Sequence, residues 1–371
     1  MTPAVRAALS VGFALSILFG GAAASAATAD FRGFKETVVP TRWCGGYFIV
    51  DVTIGDDGPF AMILDTGASR TVISPEVRKR LGLARRKKKL PQMTVGPLRA
   101  SRVPVMVRPL DQISYAVGTG VDGIVGHPIF ASFTIVYDYP AREVRVHRDG
   151  IPADAPETAT VKGRSRPYVP VTVGDTTVDV LLDTGSRSAI SLGDFETWDF
   201  EDEPVAVGGS IRIDGLHLRH GARLADDARF GPVHLPTPIV TSSVSVHLIG
   251  LGIMDRYAVS FDGPGKRVRF DLPQTDDAHP AIELPSLRSF GALFEPYPNA
   301  LEILKFLPGS PAEAAGLSVG DRIVAIDGRP LDETRCDPDP DAGTREHVTL
   351  TVERSGAAPF EVRVEYAVFV E

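Results

Sequence analysis

Asp65-Thr66-Gly67 and Asp183-Thr184-Gly185 are the residues of this chain whose types and setting could do chemistry together. An apolar run precedes each triplet, Met62-Ile63-Leu64 and Val180-Leu181-Leu182, and small hydroxylated residues follow it. Two carboxyls held face to face cannot both ionise cheaply, because the second charge must form beside the first. Such a pair shares one proton and can act as acid and base on a single water. One Asp-Thr-Gly alone would read as a turn, since Asp and Gly are both turn residues. Turn chemistry does not explain matching flanks, and here the flanks match.

The elements around the two triplets form an internal repeat. Tyr47-Phe48-Ile49-Val50-Asp51-Val52-Thr53-Ile54-Gly55 corresponds to Tyr168-Val169-Pro170-Val171-Thr172-Val173-Gly174, and Thr71-Val72-Ile73-Ser74 to Ser188-Ala189-Ile190-Ser191. Further on, Ile124-Val125-Gly126 with Ile129 matches Leu248-Ile249-Gly250 with Ile253. Tyr137-Asp138 with Val144-Arg145-Val146 then matches Phe261-Asp262 with Val268-Arg269-Phe270. The aspartates are 118 residues apart (183 − 65) and the later glycines 124 (250 − 126), so the second copy carries a few extra residues between its landmarks. A pseudo-twofold arrangement of the copies would bring the carboxyls together.

At 371 residues the chain exceeds one ordinary core, and two or three domains are expected. Short alternating runs of Val, Thr and Ile, with 36 Gly and 30 Pro for turns, predict a mainly β protein. Net charge −8 argues against a general nucleic-acid binder. Arg6, the apolar stretch Ala8–Gly21 and Ala24-Ser25-Ala26 read as a cleaved export signal over 1–26, with Ala27-Thr28-Ala29 as a second cleavage choice. A periplasmic or secreted location follows, with no stable membrane span after cleavage. No cofactor and no metal are expected, because the eight His are scattered and His217 with His220 has no evident third ligand. Cys44 and Cys336 fall in different proposed domains and are read as two unpaired thiols, although an oxidising compartment would allow a bond.

The expected domains are a first lobe over 30–150, a second over 160–272 and a C-terminal unit over 286–371. Pro/Ala-rich and acidic Pro-bearing connectors, 151–157 and 273–285, separate them. One helix of the first lobe is signposted: Ser74 caps it, Pro75 and Glu76 suit its first turn, and Gly82 follows as a stop. Leu192 to Phe200 holds the matching place in the second lobe and is less clearly helical. Arg85-Arg86-Lys87-Lys88-Lys89 reads as a solvated loop, with an acidic-substrate contact as its alternative.

Both lobes resemble the retropepsin-type aspartic proteases. The likeness rests on Ile63-Leu64-Asp65-Thr66-Gly67-Ala68-Ser69 with Ile124-Val125-Gly126, and on Leu181-Leu182-Asp183-Thr184-Gly185-Ser186 with Leu248-Ile249-Gly250. It covers about two thirds of the chain. The resemblance implies two β-barrel lobes in a pseudo-twofold arrangement and an aspartic-type endopeptidase with Asp65 and Asp183 as catalytic residues and a polypeptide as substrate. Thr66 and Thr184 would bond across to the opposite loop, Gly67 and Gly185 would permit the close turns, and Gly126 and Gly250 would lie in the segments that support them. The family's Gly-rich flap has a better match in Val207–Gly215 than in Leu90–Val107, so unequal flaps are expected. Where the family often has Arg after the later Gly, this chain has His127, read as structural, and Leu251.

The C-terminal unit resembles a PDZ domain, an α+β fold, on the segment from Leu307 to Gly328 with Ser310-Pro311 opening a short helix and Asp327-Gly328 a turn. That likeness implies capture of a peptide C-terminus by strand addition, with Phe290, Gly291, Ala292 and Leu293 as the loop for its carboxylate. Pro338 and Pro340 discourage the helix that would form the groove's other wall. Two other readings stay open: a non-catalytic peptide-binding protein on the same scaffold, and lobes that pair with those of a second chain.

Overall fold

The computed structural model describes residues 28–371 except 32–34, 85, 87, 156–157, 164, 213–214, 245, 274–279 and 337–344. The expected signal segment, Arg85 and Lys87 of the basic run, part of both connectors, and Pro338 and Pro340 therefore lie outside the described residues. The protein is mainly β.

The repeat in the sequence becomes a repeat of strand pairings. In the first lobe the hairpin Tyr47–Ile54 and Asp57–Asp65 runs straight into Asp65. In the second, Tyr168–Val173 and Thr176–Leu182 end one residue before Asp183. The strand Gly123–Gly126 lies parallel to Asp57–Asp65 and antiparallel to Thr71–Ile73. Leu248–Ile249 does the same between Thr176–Leu182 and Ile190–Leu192. Strands covered on both sides need apolar residues throughout, which is why these segments read as continuous apolar runs rather than alternations. Each lobe builds a nine-stranded sheet around this centre.

A third sheet joins the lobes. Thr134–Asp138 pairs antiparallel with Ala258–Asp262, placing Val136 opposite Ser260, and Glu143–His147 and Arg267–Asp271 flank that pair. These are the repeat's later landmarks, so the two copies meet along their own equivalent strands. One continuous apolar core accordingly runs through both lobes, from Val39 to Ile282. A separate core, with Phe290, Ile303, Ile323, Leu350 and Tyr366 among its members, belongs to the C-terminal unit.

Local chemistry accounts for the ends of several elements. Ser74 caps the helix Pro75–Arg80, its Oγ accepting from Val77 N at 3.2 Å, and Gly82 follows with φ +59°. The matching stretch of the second lobe holds only the 3-10 turn Phe195–Thr197. It lacks a side-chain cap and a proline in the first turn. In the C-terminal unit, Ser310 Oγ accepts from Glu313 N at 3.1 Å at the start of Pro311–Ala314.

The lobes differ in one large element. The second carries the long hairpin Val205–Arg212 and Gly215–Arg223, which pairs with Ile239–Ser242. Between Leu90 and Val107 the first lobe has the short hairpin Met93–Val95 and Leu98–Ser101, laid against Tyr47–Ile54 as part of its sheet.

The reading of the cysteines as unpaired is corrected: Cys44 and Cys336 form a disulfide across 292 residues of sequence. The segment Arg335-Cys336 seats itself on the first lobe. Gly45 N donates to Cys336 O at 3.0 Å, and a Cβ on Gly118 would stand 2.3 Å from Arg335 Cβ. The Arg335 guanidinium donates to Tyr115 O at 2.6 Å on the lobe and to Ala300 O at 2.6 Å on the C-terminal unit. Fold geometry, invisible in a sequence with one cysteine at each end, supplies the proximity. Because cross-linking restricts the unfolded chain, Cys44→Ser with Cys336→Ser is expected to cost about 2–4 kcal/mol. Thermal unfolding should show that loss, and reductant added to the parent protein should reproduce it.

Candidate active site

Asp65 and Asp183 are both fully buried, and each carboxyl fills the space beside the glycine of the opposite loop. The loops that carry them are locked by a reciprocal set of bonds. Thr66 N donates to Thr184 Oγ1 and Thr184 N to Thr66 Oγ1, each at 3.0 Å. Thr66 Oγ1 donates to Leu182 O at 2.7 Å and Thr184 Oγ1 to Leu64 O at 3.2 Å. Each hydroxyl thus accepts from one backbone N–H and donates to one carbonyl of the opposite lobe, which satisfies both of its buried roles.

The glycines set the separation. A Cβ on Gly67 would lie 2.4 Å from Asp183 Cγ, and one on Gly185 would lie 2.6 Å from Asp65 Cγ. Each glycine therefore leaves the space the opposite carboxyl occupies. Gly126 and Gly250 meet the same demand one layer away. A Cβ there would stand 2.6 Å from Arg70 O and 2.4 Å from Ser186 O, against the chain just after each triplet. Asp183 N donates to Ile249 O, and His127 N and Leu251 N donate to Ala68 O and Ser186 O, stitching the supporting strands to both loops.

Around Asp65 the charges are uneven. Oδ1 accepts from Gly67 N at 2.7 Å and Ala68 N at 3.1 Å, whereas the buried Oδ2 has no hydrogen-bond partner among the described residues. Burial, then the charge of the adjoining Asp183 carboxyl, hold the Asp65 carboxyl well above the usual carboxylate range. The two N–H bonds offset this only in part. Asp183 Oδ1 accepts from Gly185 N at 2.9 Å, and the pair as a whole holds one proton between its two carboxyls.

Three buried tyrosines that the sequence reading passed over surround the pair. Tyr47, Tyr137 and Tyr139 feel the Asp65 charge, and burial raises all three phenols above their usual range, so they stay protonated. Tyr47 and Tyr137 are landmarks of the repeat, and that was the available signal. His127 is buried, packs edge-on against Phe261 of the other lobe with centroids 6.3 Å apart, and is depressed to about 4 by burial. It is a neutral spacer between lobes. Among the described residues no cluster of His, Cys, Asp and Glu could hold a metal ion.

The proposed peptide loop of the C-terminal unit is largely internal. Phe290 is buried and stacks on Tyr366 at 4.5 Å, and Phe290 O accepts from Ala312 N and Ser310 Oγ. Gly291 N donates to Ser289 Oγ at 3.1 Å. Ala292 and Leu293 are buried at the start of the edge strand Ala292–Pro296, which pairs on one side with Leu301–Phe306. Gln112 Nε2 donates to Glu295 Oε1 at 3.3 Å, and a Cβ on Gly209 of the long hairpin would meet Leu293 Cδ2 at 3.2 Å. Strand addition at this edge has to open that contact. Gln112 belongs to the helix Asp111–Val117, which has no side-chain cap and gave no start signal in the sequence.

Two outcomes follow from this geometry. Gly67→Ala pushes a methyl into the opposite carboxyl and is expected to cost about 1–3 kcal/mol or more by overpacking, read from denaturant unfolding. The raised Asp65 pKa makes its contribution to stability full below the unfolded value of about 3.9 and lost as pH rises through the folded value. Asp65→Asn, which has no charge to bury, should therefore gain on the parent in melting temperature from pH 4 towards pH 7.

Residues 50–94, which contain Asp65, Thr66 and Gly67, match the aspartyl protease family model. Residues 303–354 match the PDZ domain model. No curated protein matches the chain. Among solved structures it is similar to a retropepsin-like aspartic protease from Rickettsia conorii, with 16% identity over 33% of this chain and 95% of that one and a TM-score of 0.24. It is similar to the HtrA3 PDZ domain bound to a phage-derived ligand, with 22% identity over 22% of this chain and 86% of that one and a TM-score of 0.18. It is also similar to a PDZ domain protein from Parabacteroides distasonis, with 26% identity over 22% of this chain and a TM-score of 0.21; the chain spans 20% of that protein's length. The chain thus carries a retropepsin-like aspartyl protease domain in its N-terminal region and a PDZ domain at its C-terminus.

Proposed function

We propose that this chain is an exported aspartic endopeptidase in which Asp65 and Asp183 act on one water and the PDZ unit engages substrate or partner peptides. The observation that carries the reading is a pair of wholly buried carboxyls, each set against the opposite glycine, on reciprocally locked loops. Two acids buried together without a cation between them are costly as structure alone, and a shared proton turns that cost into acid–base function.

Asp65, with the raised pKa, holds the proton and hydrogen-bonds the scissile carbonyl oxygen. Asp183 takes a proton from the water as its oxygen attacks the carbonyl carbon. The carbonyl oxygen gains the Asp65 proton and a tetrahedral diol results; as the C–N bond breaks, the proton on Asp183 passes to the amide nitrogen and one diol hydroxyl returns its proton to Asp65, leaving a carboxylic acid, an amine and the dyad in its starting state. The neutral tyrosines add no charge that would ionise both acids at once. The long hairpin of the second lobe serves as the flap over the substrate. Export is supported by the N-terminal segment and by the Cys44–Cys336 bond, which suits an oxidising compartment. Among the described residues no helix is long and apolar enough to cross a membrane.

Asp65→Asn and Asp183→Asn should each lower cleavage of a peptide library by roughly 10²–10⁴-fold, the range for loss of a general acid or base, with strand content unchanged by circular dichroism. Parent-like cutting by both variants would refute the shared-carboxylate reading.

A further inference from the structure

The long hairpin of the second lobe roofs a cleft of about 440 Å3 whose lining includes Ser191, Ser210, His217 and Arg219. Gly208 faces Arg219 and Ser210 faces His217 in the hairpin register, so these side chains share one face of it. With no side chain at Gly208, nothing of the opposite strand covers Arg219 at that position.

Arg219 is only 8% exposed. Its Nη2 donates to Ser191 Oγ at 2.9 Å and to Thr241 Oγ1, and those two hydroxyls are 2.9 Å from each other. Both partners are neutral. A guanidinium carries five N–H donors, and Nη2 alone is hydrogen-bonded to the protein among the described residues. Nε and Nη1 are not sealed from solvent and open to the cleft. Asp194 and Glu196 also line the cleft, but both are exposed and neither pairs with Arg219. Burial brings the guanidinium down to about 10, which leaves it charged at neutral pH. A buried cation held only by hydroxyls is costly unless an anion joins it.

The strand that carries Ser191 lies two places from the strand that leads into Asp183. Ser191 pairs with Leu248, and Leu248 pairs with Leu181, two residues before Asp183. Two strand spacings of about 10 Å across and two residues of about 7 Å along the strand make about 12 Å, the length of about four residues of extended peptide.

We propose that this cleft is a substrate subsite that recognises a carboxylate, with Arg219 as the residue that sets the preference. Its place on a substrate rests on the endopeptidase reading; its affinity for an anion does not. The carboxylate is either an Asp or Glu side chain or the free C-terminus of the peptide. The hydroxyls of Ser191 and Thr241 fix the fork, and Nε and Nη1 supply the paired donors that a carboxylate accepts.

The test uses fluorescent short peptides that carry Glu or Gln at one position and a free or amidated C-terminus. Their binding to the full-length Asp65→Asn protein is read by anisotropy, and their cleavage by the parent is measured in parallel. The proposal expects Glu over Gln, or free over amidated, by about tenfold or more, as for other sites with buried donors. Arg219→Met should abolish that preference. Arg219→Lys, which keeps the charge but not the fork, should retain a reduced one and covers the case in which the Met variant does not fold. Equal binding of all peptides, or a preference undiminished in Arg219→Met and Arg219→Lys, overturns the subsite; a free-carboxylate preference of the latter kind belongs to the PDZ unit. Arg219-dependent preference without cleavage by the parent keeps the subsite and removes the peptidase. Cleavage by the parent without the preference does the reverse.

Discussion

Two carboxyl groups shut away from water repel unless a proton lies between them, and something must hold them while it does. Here the reciprocal bonds of Thr66 and Thr184 do so. They tie the loop of each lobe to the backbone of the other, so the distance between the two aspartates is set by both lobes together. The glycines after the aspartates, the strands ending in Gly126 and Gly250, and the sheet in which Thr134–Asp138 meets Ala258–Asp262 all serve that junction. One apolar core spanning both lobes is the larger expression of the same constraint.

That part of the fold was readable because it is written twice. A triplet that needs a turn, a close approach and a crossing hydroxyl permits few residues, so both copies kept the same ones. The helix Pro75–Arg80 was readable for a different reason: Ser74, Pro75, Glu76 and Gly82 each satisfy a local requirement of a helix end. The features that escaped are those settled between distant segments. Arg219, within His217-Leu218-Arg219-His220, looks like any strand arginine until the fold places two hydroxyls beside it and no carboxylate. The helix Asp111–Val117 begins without a cap and is held by its neighbours. Tyr139 matters only through its burial near the aspartates.

The symmetry that joins the aspartates is abandoned at the periphery. The second lobe has the long hairpin where the first has only the short hairpin Met93–Val95 and Leu98–Ser101, and that long hairpin touches three things at once. It roofs the Arg219 cleft, it approaches the edge strand of the PDZ unit at Leu293, and it pairs with the body of its own lobe through Ile239–Ser242. Whatever moves the hairpin therefore alters the cleft and the PDZ edge together.

The sulfur bridge encloses most of the described polypeptide. A single cut anywhere between residues 44 and 336, either connector included, leaves both fragments covalently joined. Release of the C-terminal unit after such a nick demands a second, reductive event. A single proteolytic cut under oxidising conditions would thus scar the molecule without dismembering it, and a shed C-terminal fragment would record that scission and thiol exchange had both occurred.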